Sequence, residues 1–334
     1  MRRSRQPPRR TRSAPAVATL GVIAITLLAQ GSGRAAAPAS RSRAAGDSPW
    51  ARIRNVNMLV APEVVLEVRE LEGRLLPTRK GGLTVFDDPK SFRIAIDRAT
   101  TAISTASLSA LLNRYTFAYP GAPLRNIEVS THDGKLRQKG TLHKGVDVSF
   151  EMEGDLSATP DGRIRLHPTT LKAAGVPAKR LLDALGIELV KLIKVRADRG
   201  VAIEGDDLLL DPNRLLPPPQ VVGKVGTARL EGDRIVLEFV GRTPKTLTPS
   251  LREAKNYMYF RGGRLRFGKL TMQDTDLMLV DAAPADPFRF NLAEYARQLV
   301  AGYSKTLPDK GLVTYMPDAD KVDRPVAPVK SALR

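Results

Sequence analysis

The sequence predicts an α+β fold dominated by antiparallel β-sheet, with few helices. Three observations carry that expectation. Apolar and polar residues alternate over many short runs, the period of half-buried strands. Asp-Gly, Gly-Asp and Gly-Gly pairs punctuate those runs, the chemistry of tight turns between antiparallel neighbours. Only three segments carry apolar residues at helical spacing. With 42% hydrophobic residues, the 334-residue chain has enough apolar material for a packed core.

The first residues read as an address. Arg2, Arg3, Arg5, Arg9, Arg10 and Arg12 precede an uncharged stretch, Ser13 to Gly33, rich in Val, Leu, Ile and Ala; Ala35-Ala36-Ala37 follows. A basic start, an apolar stretch and an A-x-A site are the marks of a secretory signal peptide, here over residues 1–37. The rival is an uncleaved N-terminal membrane anchor, since 21 uncharged residues approach the roughly 20 that cross a bilayer. Two Arg-Arg pairs point toward the twin-arginine route, but the hydrophobic residues expected just after the pair are missing. The expected location is the periplasm or cell envelope. Residues 38–50 form a Ser/Ala/Arg/Pro linker without periodicity, expected to be flexible.

Next come the strands. Val146, Val148, Phe150 and Met152 alternate with Asp147, Ser149, Glu151 and Glu153. Weaker alternation occurs at Val64-Leu66-Val68, Phe92-Ile94-Ile96, Ile164-Leu166, Ile235-Leu237-Phe239 and Leu265-Phe267. Asp133-Gly134, Asp161-Gly162, Gly232-Asp233 and Gly262-Gly263 are the turn signals. The first helical segment holds Leu108, Leu111, Leu112 and Tyr115 behind two possible caps, Ser104 and Ser107. The second opens at Pro177 and carries Leu181, Leu182, Leu185, Leu189, Leu192 and Ile193, widened by Ile187 and Val190 beyond what a surface helix needs. The third starts at Asn291 with Glu294 three residues on, and predicts a face of Leu292, Tyr295, Ala296, Leu299, Val300 and Tyr303. Pro217-Pro218-Pro219 marks a loop, and Thr243 to Pro249 a boundary. The expected organisation is an α+β domain over 51–242, a β-rich extension with one helix over 243–318, packed on the same sheet or apart from it, and a loose polar tail over 319–334. That looseness is expected from Pro317 onward.

Composition narrows the chemistry. The absence of cysteine excludes disulfides, thiolate metal sites, cysteine nucleophiles and a lipid-modified N-terminal cysteine. His132, His143 and His167 share no metal-ligand spacing, and the first and second are expected on exposed hairpin ends. Gly263 to Lys269 matches G-x-x-x-x-G-K, but Leu270 replaces the magnesium-binding hydroxyl, and Leu265 and Phe267 alternate like a strand. No G-x-S-x-G elbow or H-E-x-x-H is present. Asp87-Asp88, Asp206-Asp207 and Asp274 with Asp276 offer paired carboxylates. Asp206-Asp207 reads as a turn, and Asp274 and Asp276 as one solvated face of a strand. Tyr257-Met258-Tyr259-Phe260 reads as a buried strand rather than a membrane-touching edge. No cofactor or metal is expected, and no enzymatic activity. Removing seven arginines and no acid with residues 1–37 takes the net charge from +18 to +11. For an exported basic protein nucleic acid is a poor partner. Phospholipid or another anionic amphiphile, presented on a membrane surface, fits better.

From about Ile103 to Phe239 the chain resembles the LmeA-like phospholipid-binding family, within the tubular lipid-binding (TULIP-like) group. The resemblance rests on order and spacing. Ser107-Leu108-Ser109-Ala110-Leu111-Leu112-Asn113 opens a helix, and strands with Asp133-Gly134 and Asp161-Gly162 turns follow. Then come the helix Ala178 to Ile193 and the closing strand Val201 to Leu210 before a proline-rich loop. Leu251 to Asp318 has no counterpart. The resemblance implies antiparallel sheet curled around one long apolar helix, with acyl chains between them. It implies a groove in which Leu181, Leu182, Leu185, Leu189 and Leu192 face Val146, Val148, Phe150 and Met152, with Leu108, Leu111 and Leu112 nearby. Lys179, Arg180, Lys191 and Lys194 near the helix ends are the head-group candidates. The expected function is that of an exported, non-enzymatic lipid-binding protein, a carrier in the cell envelope. The alternatives are an envelope scaffold or adaptor binding an anionic polymer or protein through its basic surface, and a hydrolase using an acidic pair. Oligomeric state stays open.

Overall fold

Three sheets organise the chain in the computed structural model, which describes residues 48–144, 146–174, 176–177, 196–243 and 247–322. The expected signal peptide and most of the expected linker fall outside these residues, as does the tail from 323 on. The second helical segment also falls outside them, and with it Leu181, Leu182, Leu185, Leu189, Leu192, Lys179, Arg180, Lys191 and Lys194.

The largest sheet has eleven strands. Its N-terminal members are β1 (Trp50–Ala61), β2 (Val64–Pro77) and β4 (Phe92–Ser104). From mid-chain come β12 (Gln220–Val222), β13 (Lys224–Glu231) and β14 (Arg234–Val240). The rest are β15 (Tyr257–Arg261), β18 (Asp276–Asp281), β19 (Phe288–Asn291), β20 (Tyr303–Thr306) and β21 (Leu312–Met316). The order is β13-β14-β4-β2-β1-β15-β18-β21-β20, with β12 beside β4 and β19 beside β1. Strands from 257–316 therefore continue the sheet begun by 50–104, and no sheet boundary falls at Thr243 to Pro249. Most pairings are antiparallel, but β12 with β4, β19 with β1 and β18 with β21 are parallel.

The second sheet has seven strands. These are β5 (Leu124–His132), β6 (Lys135–Lys144), β7 (Val146–Ala158), β8 (Ile164–Ala173), β9 (Val176–Pro177), β10 (Val201–Glu204) and β11 (Asp207–Leu210). The Asp133-Gly134 turn closes the β5–β6 hairpin with both residues at positive φ, the backbone that a two-residue hairpin loop needs. A small third sheet joins β3 (Thr84–Val85), β16 (Leu265–Phe267) and β17 (Leu270–Met272). The Gly262-Gly263 turn signal predicts antiparallel neighbours, but the pair joins strands of two different sheets. It carries the chain from β15 to this third sheet and exchanges backbone hydrogen bonds with Thr275. A Cβ on Gly263 would collide with Ser48 and Pro49.

Three helices are short: α1 (Thr105–Leu111), α2 (Pro212–Leu215) and α3 (Tyr295–Ala301). Among the described residues no helix is long and apolar enough to cross a membrane. Ser104, not Ser107, caps α1, accepting from the Ser107 amide at 3.1 Å. The third predicted helix is shorter than its pattern. Asn291 ends β19, and its side chain accepts from the Ala293 and Glu294 amides in a turn. Val300 and Tyr303 are 86% and 54% exposed, and Ala296 is exposed. The buried face is instead Leu292, Tyr295 and Gln298. Gln298 satisfies the Asn291 amide and the carbonyls of Arg289 and Pro317 at 2.8–2.9 Å, which a leucine stripe cannot do.

β15 and β18 are buried on both faces. Met258, Phe260, Leu277 and Leu279 join the main core, while Tyr257, Tyr259, Met278 and Val280 pack under Leu247 in a second cluster. That placement explains their unbroken apolar runs. The start of the segment read as loose tail is anchored: Asp318 is fully buried, accepting from the Arg289 amide at 2.8 Å and from Lys321 Nζ at 2.9 Å.

Candidate functional site

The feature with the character of a binding site is an apolar cavity between the two larger sheets. β1, β2, β4 and β14 supply one wall, through residues such as Leu66, Leu71, Ile103 and Leu237. Leu136 of β6, Leu156 of β7, Ile164 of β8 and Leu210 of β11 supply the other. Leu108 and Leu111 of α1 and Leu215 of α2 complete the lining. No polar atom of the described residues faces the space.

Backbone irregularities aim these side chains. On β4, Ile94 and Ile96 line the cavity, and so do Thr101 and Ile103, although strict alternation would put the second pair on the opposite face. Asp97 is the inserted residue that resets the phase: Arg98 pairs with Glu72, but Ile96 pairs with Gly73. On β2, Arg69 does the same between Val68 and Leu71. On β1, Asn55 sits at φ +53° between Ile53 and Met58. Neighbours change at two of these points. β4 passes from β14 to β12 across Asp97, and β1 from β15 to β19 across Asn55. The inserted residues Asp97 and Arg69 are β-bulges, which bend their strands locally.

α1 is tied to both sheets. The Ser107 hydroxyl accepts from Val65 of β2 at 3.2 Å. The Ser109 hydroxyl accepts from Val129 of β5 at 2.8 Å, and the Asn113 amide bonds both backbone groups of Ile127 at 2.7–2.8 Å. Side chains thereby satisfy Ile127 and the Val129 amide on the edge strand β5, and Leu108 and Leu111 are held toward the cavity.

The cavity measures about 80 Å³, within about 910 Å³ of atom-free space reaching toward solvent. Water needs two to four polar partners to stay in a cavity, so one with none is dry and favours hydrocarbon. At about 80 Å³ the enclosed part is smaller than the roughly 300–1,000 Å³ of drug-sized ligand sites, room for part of a hydrocarbon chain.

Of the groove residues expected from sequence, Leu108 and Leu111 line this cavity. Leu112 is buried in the main core but is not part of the lining, because it follows Leu111 into the π-helical turn Leu112–Thr116. Met152 is buried, and Phe150 is half-buried with its ring over Gly140. Val148 is half-exposed. These three share a face of β7 with Leu156, yet only Leu156 reaches the cavity. The side chain of Val146 lies outside the described residues. The wall from β4 and β14 was not assigned to a groove from sequence, although Ile94, Ile96, Ile235, Leu237 and Phe239 carried the alternation.

The acidic pairs do not converge on the cavity. Asp88 caps a turn by accepting from the Lys90 amide at 3.1 Å, and Asp207 bonds His167 at 2.6 Å. Asp274 precedes β18 in a bend, so it does not share a strand with Asp276, which is paired with Arg261. Among the described residues no group of three or more His, Asp or Glu is placed to hold a metal ion. No protein-family model, curated protein or solved structure matches the chain.

Proposed function

We propose that this is an exported, non-enzymatic lipid-binding protein of the cell envelope, and that its cavity takes the acyl chain of a phospholipid or another anionic amphiphile. One observation carries the reading: a cavity with no polar atom of the described residues on its surface, held between two sheets by a helix bonded to both. Burying hydrocarbon there gains roughly 0.8 kcal/mol per CH₂ before ordering costs. The reading takes with it the LmeA-like, TULIP-like arrangement expected from sequence, with sheet curled around the apolar run 178–193. It also takes with it export through residues 1–37.

The test is native mass spectrometry of the protein purified from a bacterial periplasm, with organic extraction of bound material. Near-stoichiometric phospholipid is the expected result. An apo mass that persists after incubation with phospholipid vesicles would overturn the reading in favour of an envelope scaffold.

A further inference from the structure

A cationic cluster stands where the chain after α1 approaches α2. Arg199 Nη1 donates to the Tyr115 carbonyl at 3.1 Å, within the π-helical turn that continues α1. The next residue, Gly200, lies against the backbone of Asp211, Arg214 and Leu215, where a Cβ would not fit. Leu111 and Leu215 on these two elements are both cavity walls. The cluster therefore adjoins two elements that line the apolar cavity.

Two guanidinium groups meet one ring there. Arg196 and Arg199 lie 5.3 and 5.9 Å from the centroid of Tyr119. Asp198 engages Arg196 through both oxygens, at 2.6 and 3.0 Å, and fixes its plane. Arg199 has no carboxylate partner among the described residues. Arg214 donates to the Ala197 carbonyl at 3.4 Å and pairs with Asp211 at 3.4 Å. Three cations against two carboxylates leave the cluster positive. Two hydroxyls nearby in the chain, Thr116 Oγ1 and Tyr119 OH, are shielded from solvent and have no hydrogen-bond partner among the described residues. Buried donors are ordinarily satisfied, so the open Tyr119 hydroxyl, on the ring that both guanidinium groups approach, points to an acceptor supplied from outside these residues. Burial raises the Tyr119 pKa against the lowering effect of the two arginines, so the phenol remains a donor at neutral pH.

We infer that Arg196, Arg199 and Tyr119 form an oxyanion subsite that receives the charged head of the amphiphile whose chain occupies the cavity. This rests on the lipid-binding reading and adds polarity to it: the chain runs into the cavity and the head stays at the α1–α2 end. Guanidinium groups suit a phosphate or carboxylate head because their fork of donors matches its oxygens.

Competition against a fluorescent acyl probe separates this inference from the reading beneath it. The competitors are hexadecyl phosphate, hexadecanol and inorganic phosphate, on the full chain purified from the periplasm. Hexadecyl phosphate is expected to bind at least about tenfold tighter than hexadecanol, the difference between a charge-assisted and a neutral contact. Inorganic phosphate is expected not to compete. In Arg196→Ala/Arg199→Ala the preference collapses while hexadecanol affinity stays unchanged. Arg196→Lys/Arg199→Lys, which keeps both charges, retains part of the preference and controls for folding. Equal wild-type affinities for the two amphiphiles, or a preference that survives the double alanine change, would overturn the subsite and leave the cavity reading intact. Competition by inorganic phosphate would assign the site to a free anion and overturn its head-group role. Failure of both amphiphiles to bind would overturn the lipid reading, and the subsite with it.

Discussion

Ile96 and Thr101 face the same cavity although they stand an odd number of residues apart on one strand. The insertion of Asp97 between them makes this possible, and it places Ile96 opposite Gly73 on β2. A Cβ on Gly73 would run into the backbone of Ala95 and Ile96. Gly73→Ala is therefore expected to cost about 1–3 kcal/mol, because backbone rather than a flexible side chain must give way. Urea unfolding checks this; an unchanged midpoint would mean that the bulge does not depend on the close approach.

Leu156 is the point of β7 that reaches the cavity, and it is only partly buried. Leu156→Trp should fill space that an acyl chain needs. The expected outcome is a folded protein whose hexadecanol affinity falls at least about tenfold, with a stability change of about 1–3 kcal/mol or less. Full retention of binding by the folded variant would show that the chain lies elsewhere.

Gln298 is 1% exposed and makes three hydrogen bonds to backbone on two segments, β19 and Pro317 after β21. Gln298→Leu keeps the bulk and strands the Asn291 amide with two carbonyls. A loss of about 3 kcal/mol or more is expected, since each orphaned buried group costs about 1–3 kcal/mol. Amide exchange at Asn291 should accelerate beyond what the global loss explains. Exchange that tracks only the global change would argue that the chain closes over the gap.

Glu231 accepts from Arg69 at 2.5 Å and from Arg229 at 2.8 Å. These arginines pull its carboxyl from the ordinary 4.5 to about 2, through hydrogen bonds from Arg69 and then Arg229, against a small opposing effect of burial. A lowered carboxyl pKa stabilises the fold above 4.5 and loses that contribution as pH falls toward 2. The site is open to solvent, so the clearer readout is the carboxyl itself. A carbon-detected titration should give a midpoint near 2, moving back toward 4.5 in Arg69→Ala/Arg229→Ala. A wild-type midpoint near 4.5 would show that solvent screens the pair.

The strands and their turns were legible because alternation and turn chemistry are local. Val64-Leu66-Val68 and Phe92-Ile94-Ile96 lie in β2 and β4, and Asp133-Gly134 makes its hairpin. The readable pattern stopped at Val68 and Ile96 because an inserted residue shifts the phase, and a bulge leaves no mark that separates it from the end of a strand. Gln298 carried no signal either, since its partners are backbone groups outside its own helix, which no side-chain pattern records.

By itself the sequence determined the sheet-rich class, the absence of thiol chemistry and the capped start of α1, all matters of composition and near neighbours. Only the tertiary structure decided that β15, β18, β21 and β20 extend the first sheet, and that leucines and isoleucines from distant strands close on one dry cavity. Strand partners far apart in sequence are chosen by the burial they achieve together, and no local period records that choice.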